Sequence, residues 1–124
     1  MINSKRKGKV GELELVKEIE KHGYSARRGQ QYDGLGRADV IGLIGVHTEC
    51  KRVQALNIDK AMEQAIKDKK MGEIPTVFHR KNGKDWLVTM GIEDWFKLYD
   101  AWLDATIPVI NDDLKGKIIS KKED

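Results

Sequence analysis

Ala38-Asp39-Val40-Ile41-Gly42-Leu43-Ile44-Gly45-Val46-His47-Thr48-Glu49-Cys50-Lys51-Arg52 is the stretch on which the fold turns. Val40, Ile41, Leu43, Ile44 and Val46 are strand formers, and Gly45 tolerates the positive φ of a tight turn, so the stretch reads as a β-hairpin. Alternate residues of a strand share a face, which sends His47, Glu49 and Lys51 one way. A three-residue loop, Ile44-Gly45-Val46, sets Leu43 opposite His47, Ile41 opposite Glu49 and Asp39 opposite Lys51. The hairpin then gathers two carboxylates and an ammonium among apolar neighbours. Carboxylates brought together in apolar surroundings repel unless a cation lies between them. Oxygen donors select a hard divalent ion such as Mg²⁺ or Mn²⁺. Lys51 adds a mobile positive charge able to orient a water or stabilise a developing oxyanion.

Working towards the N-terminus, a first helix is expected from Gly8 or Lys9 to His22, stopped by Gly23. Leu13, Leu15, Val16 and Ile19 fall on one arc of its wheel, with Glu14, Lys17, Glu18 and Lys21 opposite. Glu12 sits in the middle of the apolar arc. Either it takes its place in the first turn for the helix dipole, or it points at something charged; the metal-centre reading is the one adopted. Gly11 beside it weakens the helix by about 1 kcal/mol relative to Ala, so a close approach, by packing or by a nucleic-acid backbone, is expected there. Tyr24 to Arg28 is a short candidate strand. Residues 29–37, with three glycines, form a loop that ends just before Asp39 and should overhang the acidic centre.

Towards the C-terminus, Asn57 is a good N-cap for a second helix over about Ile58 to Lys70, with Ile58, Ala61, Met62, Ala65 and Ile66 as its buried stripe. Gln64 lies off that stripe. Thr76–Arg80 and Trp86–Met90 are strands joined around Asn82-Gly83, a strong hairpin signal. His79 is expected on a wet face of the sheet, not in catalysis. A third helix runs from about Ile92 to Ala105. Its stripe of Ile92, Trp95, Phe96, Tyr99, Trp102 and Leu103 is expected to cover a sheet face, with part left for a subunit contact. Pro108 ends the ordered region, so one domain over residues 1–110 and a charged tail over 111–124 are expected.

At 124 residues, 35% of them charged, the chain suits one moderate core. There is no apolar run long enough to span a membrane, and no secretory signal is read at the N-terminus, so a cytoplasmic protein is expected. The single cysteine, Cys50, suits a reducing compartment and reads as a small core side chain. Net charge is only +3 but unevenly placed. Lys5, Arg6, Lys7 and Lys9 cluster at the start, and Arg27, Arg28 and Arg37 bracket the glycine-containing loop that also carries Gln31. Basic groups around an acidic centre suit a polyanion such as DNA.

Taken together, a helix bearing Gly11-Glu12-Leu13, then Ala38-Asp39-Val40-Ile41 entering a hairpin, then Glu49-Cys50-Lys51 on the next strand resembles the PD-(D/E)xK nuclease superfamily. Within it the chain is similar to the archaeal-type and phage Holliday-junction resolvases, and Met90-Gly91-Ile92-Glu93-Asp94-Trp95-Phe96 looks like the closing segment of the phage members. The resemblance covers about residues 8–105; Ala38 stands where the family name has a proline. It implies an α/β, restriction-endonuclease-like core, a central mixed sheet flanked by helices in the order α-β-β-β-α-β-β-α. It also implies metal-assisted hydrolysis of DNA phosphodiesters. Asp39, Glu49 and the backbone carbonyl of Cys50 would hold Mg²⁺ (Mn²⁺ substituting), with Glu12 supporting it and Lys51 positioning the water. A homodimer acting on four-way junctions or other branched DNA is implied too. Other flap or single-strand nucleases, and a non-catalytic DNA-binding protein of the same fold, are the alternatives.

Overall fold

The structure, a computed structural model, describes residues 4–29 and 38–106, with side chains from residue 8 onward. Eight elements follow in the order α1 (Ser4–Lys21), β1 (Arg27–Arg28), β2 (Val40–Ile41), β3 (Val46–Arg52), α2 (Ile58–Asp68), β4 (Ile74–Arg80), β5 (Leu87–Met90) and α3 (Ile92–Thr106). The five strands form one sheet in sequence order, parallel between β3 and β4 and antiparallel elsewhere. This is the α/β, mixed-sheet order expected from the sequence. The parallel pair needs a crossover, and α2 supplies it.

β3 sorts the two sides of the sheet. Its Cys50 pairs with Phe78 and packs with Val40, Leu15, Val16 and Ile19, the cluster beneath α1. Glu49 pairs with Val77, which packs with Ala61 and Ala65 of α2. His47, Glu49 and Lys51 therefore lie on the α2 side, and Thr48 and Cys50 on the α1 side.

The hairpin differs from expectation in register. Val40 pairs with Thr48, the connection is Gly42–Gly45, and Val46 N–H closes a turn onto Leu43 O with Gly45 at φ 84°. The slip against the expected Ile41–Glu49 pairing is two residues, so parity survives. Asp39 N–H donates to Thr48 O although Thr48 is the partner of Val40. Two residues thus face one, the geometry of a bulge.

α1 begins at Ser4, before the expected Gly8 or Lys9, so Glu12 lies more than two turns in and the first-turn dipole explanation for it fails. Leu13, assigned to the buried arc, is exposed at 42%. Glu14, assigned to the solvent side, accepts from Arg52 Nε at 2.9 Å and Arg80 Nη1 at 3.3 Å, tying α1 to β3 and β4. A Cβ on Gly11 would meet Arg52 Cβ at 2.5 Å, so this glycine answers to packing on β3. In α2, Asn57 caps Lys60 N–H as expected, but the helix stops at Asp68, and Ile66 is exposed because Ala61 and Ala65 fill the contact instead.

The chain divides into two compact units at Gly91/Ile92, and α3 belongs to the second. Its aromatic stripe is not the buried face expected: Ile92, Trp95, Phe96, Tyr99 and Trp102 are exposed, and Leu103 is buried. The rings instead contact one another along the helix, Trp95 stacking on Tyr99 at 5.4 Å and Tyr99 on Trp102 at 5.8 Å. Among the described residues, no helix is long and apolar enough to cross a membrane.

Two glycines of one helix should respond oppositely to the same change. Gly8 has open space around it, so Gly8→Ala should raise stability by about 0.5–1 kcal/mol. Gly11→Ala carries the same propensity gain but drives Cβ into Arg52, and overpacking costs about 1–3 kcal/mol, so urea denaturation should show it less stable than the parent chain.

Candidate active site

Glu12, Asp39, Glu49 and Lys51 all act electrostatically at Cys50, but Glu12, Asp39 and Glu49 do not bring donor oxygens within 4.8 Å of one another. Asp39 Oδ2 accepts the Cys50 backbone N–H at 2.9 Å. Burial, then the neighbouring Glu49, push the Asp39 carboxyl up to about 7; Glu12 adds to the rise, while the Cys50 N–H and Lys51 work against it. The Cys50 thiol is pushed far above its ordinary range, first by burial and then by Asp39, Glu12 and Glu49. It is an inert core thiol, as expected. Each of the four chosen side chains thus acts electrostatically on one point of β3.

Glu49 is 2% exposed and divides its two oxygens. Oε2 lies 3.9 Å from Lys51 Nζ, and Oε1 lies 3.2 Å from His47 Nε2. The Lys51 pairing is the expected Glu-x-Lys arrangement on one strand face. The His47 contact was not foreseen, although both residues share that face by simple alternation. What the sequence lacked was the far side of the imidazole, where Glu73, just before β4, brings Oε1 to 3.8 Å from Nδ1.

Glu12, 6% exposed, does point at a charge. Arg28 Nε donates to its Oε1 at 2.8 Å. Arg28 had been assigned to phosphate contact alone; here it also neutralises the one carboxylate that α1 buries in its apolar stripe. Strand β1 makes this possible by pairing Arg28 with Val40, next to Asp39. Lys9 and Arg27 are exposed. The side chains of Lys5, Arg6 and Lys7, and all of Gln31 and Arg37, lie outside the described residues. His79 stands beside Lys51 across the β3–β4 ladder, its Nε2 2.8 Å from Thr89 Oγ1. A cleft of about 680 Å³ between α1 and the β4–β5 hairpin, lined by Ile19, Phe78 and Trp86, includes none of the four residues.

Carboxylate oxygens of Asp39 and Glu49 are of the kind that suits a hard divalent cation, although they are not drawn with Glu12 into one close ligand set. Burial first, and the Glu49 charge second, hold the Asp39 carboxyl half-protonated near neutrality. A carboxyl whose pKa is raised on folding binds its proton more tightly in the folded chain. Stability should therefore fall as pH rises from about 4 to about 7, by a few kcal/mol at most. Asp39→Asn keeps an acceptor for Cys50 N–H but cannot ionise. Its melting temperature should lose that decline and exceed that of the parent above pH 7, as thermal melts across pH would show.

No protein-family model matches the chain, and no curated protein matches it in sequence. Among solved structures it is similar to Hjc of Archaeoglobus fulgidus, a Holliday junction resolvase from an archaeal hyperthermophile. The TM-score is 0.53 at 23% identity, over 68% of this chain and 72% of that one. At that identity the likeness speaks for the fold alone: the five-stranded mixed sheet with its helices matches the fold of that resolvase.

Proposed function

We propose that this chain is a divalent-metal-dependent, structure-specific DNA endonuclease, and that it resolves four-way junctions. The observation that carries the reading is geometric: Asp39 Oδ2 accepts the Cys50 N–H between the paired Glu49 and Lys51, on a sheet that matches the fold of a resolvase. Carboxylates are rarely forced together without a cation to share. Asp39, Glu49 and the backbone carbonyl of Cys50, supported by Glu12, would hold Mg²⁺, with Mn²⁺ able to replace it. When bound, the ion supplies Lewis acidity toward a phosphoryl oxygen and makes water a better nucleophile at neutral pH.

The chain's own groups do the rest. Lys51, half-buried and held near Glu49 Oε2, is placed to hydrogen-bond an incoming water and to offset charge developing on the phosphorus oxygens. Arg28 holds Glu12 while keeping a guanidinium beside the centre. Arg27 and Lys9, together with Lys5, Arg6, Lys7, Gln31 and Arg37, would grip phosphates flanking the cut. Two cuts related by symmetry require two sites, and a homodimer would supply them.

The test is cleavage of a labelled four-way junction against flap, duplex and single-stranded DNA. The junction should be nicked in Mg²⁺ or Mn²⁺ and not with a chelator present. Glu49→Ala and Lys51→Ala should each lower the rate by at least about 10²-fold while gel-shift affinity for the junction survives. Equal cutting of all four DNAs would leave a general nuclease, and binding without nicking under every divalent ion would leave a DNA-binding protein. Mg²⁺ should also raise the melting temperature more at pH 8 than at pH 5, since protons compete for Asp39.

A further inference from the structure

His47 is 1% exposed and faces carboxylates through both ring nitrogens: Nε2 is 3.2 Å from Glu49 Oε1 and Nδ1 is 3.8 Å from Glu73 Oε1. Asp68, at the end of α2, closes the group; one donor atom from each of His47, Glu49 and Asp68 lies within 4.8 Å of the other two. A neutral imidazole has a single N–H. Whichever nitrogen carries it, the other sets a lone pair against a carboxylate oxygen in a buried place, which is repulsive without a cation between them. Three carboxylates surround this one ring, so negative charge is in excess there, and Lys51 lies against the other oxygen of Glu49.

We infer that His47 Nε2, Glu49 Oε1 and Asp68 form a second cation site, distinct from the oxygen-only centre, that takes a first-row transition dication such as Zn²⁺ or Co²⁺ in preference to Mg²⁺. The nitrogen donor sets that preference, because imidazole favours the later transition ions and carboxylates alone do not. Glu73, whose Oε1 accepts the Lys70 backbone N–H at 2.8 Å and lies 3.8 Å from Nδ1, puts a negative charge beside that nitrogen, which favours Nδ1 as the protonated nitrogen and Nε2 as the ligand. The 3.2 Å separation of Nε2 and Oε1 suits two ligands on one ion with bonds of about 2.0–2.2 Å. Glu49 would thus serve two sites, Oε1 turned to the inner ion and Oε2 to the outer centre with Lys51. Its carboxylate plane would be set from behind, by a site that does not touch DNA.

The inference stands apart from the nuclease reading, and its test is arranged so that the two fail separately. Metal-stripped Asp39→Asn chain, in which the outer centre is disabled, is titrated with Co²⁺ and followed by visible absorption and calorimetry. One Co²⁺ should bind with a nitrogen-ligand spectrum, Zn²⁺ should displace it, and excess Mg²⁺ should not. In the same background Asp68→Asn and His47→Gln should each weaken binding at least about tenfold, and Glu73→Gln about tenfold or more. Asp68 is half-buried at a helix end, so Asp68→Asn carries the test if His47→Gln does not fold. Failure of Asp39→Asn to bind Co²⁺, or unchanged affinity in Asp68→Asn, overturns the inference. Absence of junction cleavage by the unsubstituted chain in every divalent ion, with Co²⁺ binding by Asp39→Asn intact, would sink the nuclease proposal alone.

Discussion

The alternation of side chains along β3 is the constraint on which the rest depends. One strand of seven residues, hydrogen-bonded on both edges, must serve two cores at once. Thr48 and Cys50 go to the α1 side with Val40, while His47, Glu49 and Lys51 go to the α2 side with Val77. Because the period is two, no single residue of this strand can be moved to the other face without moving them all. A strand in that position, with a helix against each face, would ordinarily be apolar throughout. Its polar residues are therefore the informative ones: Glu49 meets His47 and Lys51 of the same strand, while the buried Thr48 Oγ1 has no hydrogen-bond partner among the described residues.

Ion-pair partners explain much of the architecture. Glu12 in α1 is answered by Arg28 in β1, and Glu14 by Arg52 in β3 and Arg80 in β4. Glu49 is answered by His47 and Lys51. Pairs of this kind add little net stability, since desolvation or solvent screening consumes most of the attraction, but removing Arg28 would leave the buried Glu12 carboxylate without its counter-charge. They act as register pins between α1, the hairpin and β4. Asp39 differs from these. It has a backbone N–H for one oxygen, yet burial, and then the Glu49 charge, still raise its carboxyl to about 7.

The bulge at Asp39 shows how a small backbone irregularity sets the chemistry. In a regular ladder Asp39 would simply continue β2, its carboxylate lying in line with that strand. With Asp39 and Val40 both opposite Thr48, the carboxylate is turned onto the backbone N–H of Cys50 and brought within range of acids on both faces of the sheet. Gly11 plays a comparable part on the other side. By letting α1 press against Arg52, it carries Glu12 down to the level of the same strand.

The sequence by itself determined the element order, the hairpin, the Asn57 cap, and the sharing of one strand face by Glu49 and Lys51. These follow from local periodicity, turn chemistry and capping, which need no distant partner. It also marked Glu12 as anomalous, since a carboxylate within an apolar stripe is visible on a helical wheel. Tertiary structure alone decided what answered that anomaly, because Arg28 reaches Glu12 only once β1 has paired with β2. It decided the hairpin register, which the turn around Gly45 left open by two residues, and the contact of His47 with Glu73, 26 positions downstream, which the parallel pairing of β3 with β4 brings about. It likewise separated buried from exposed members of each apolar stripe: a wheel gives the direction of Leu13 and Ile66 but not the width of the surface that meets them. Local pattern fixes which way a side chain points, whereas what it meets depends on segments brought together only when the sheet closes.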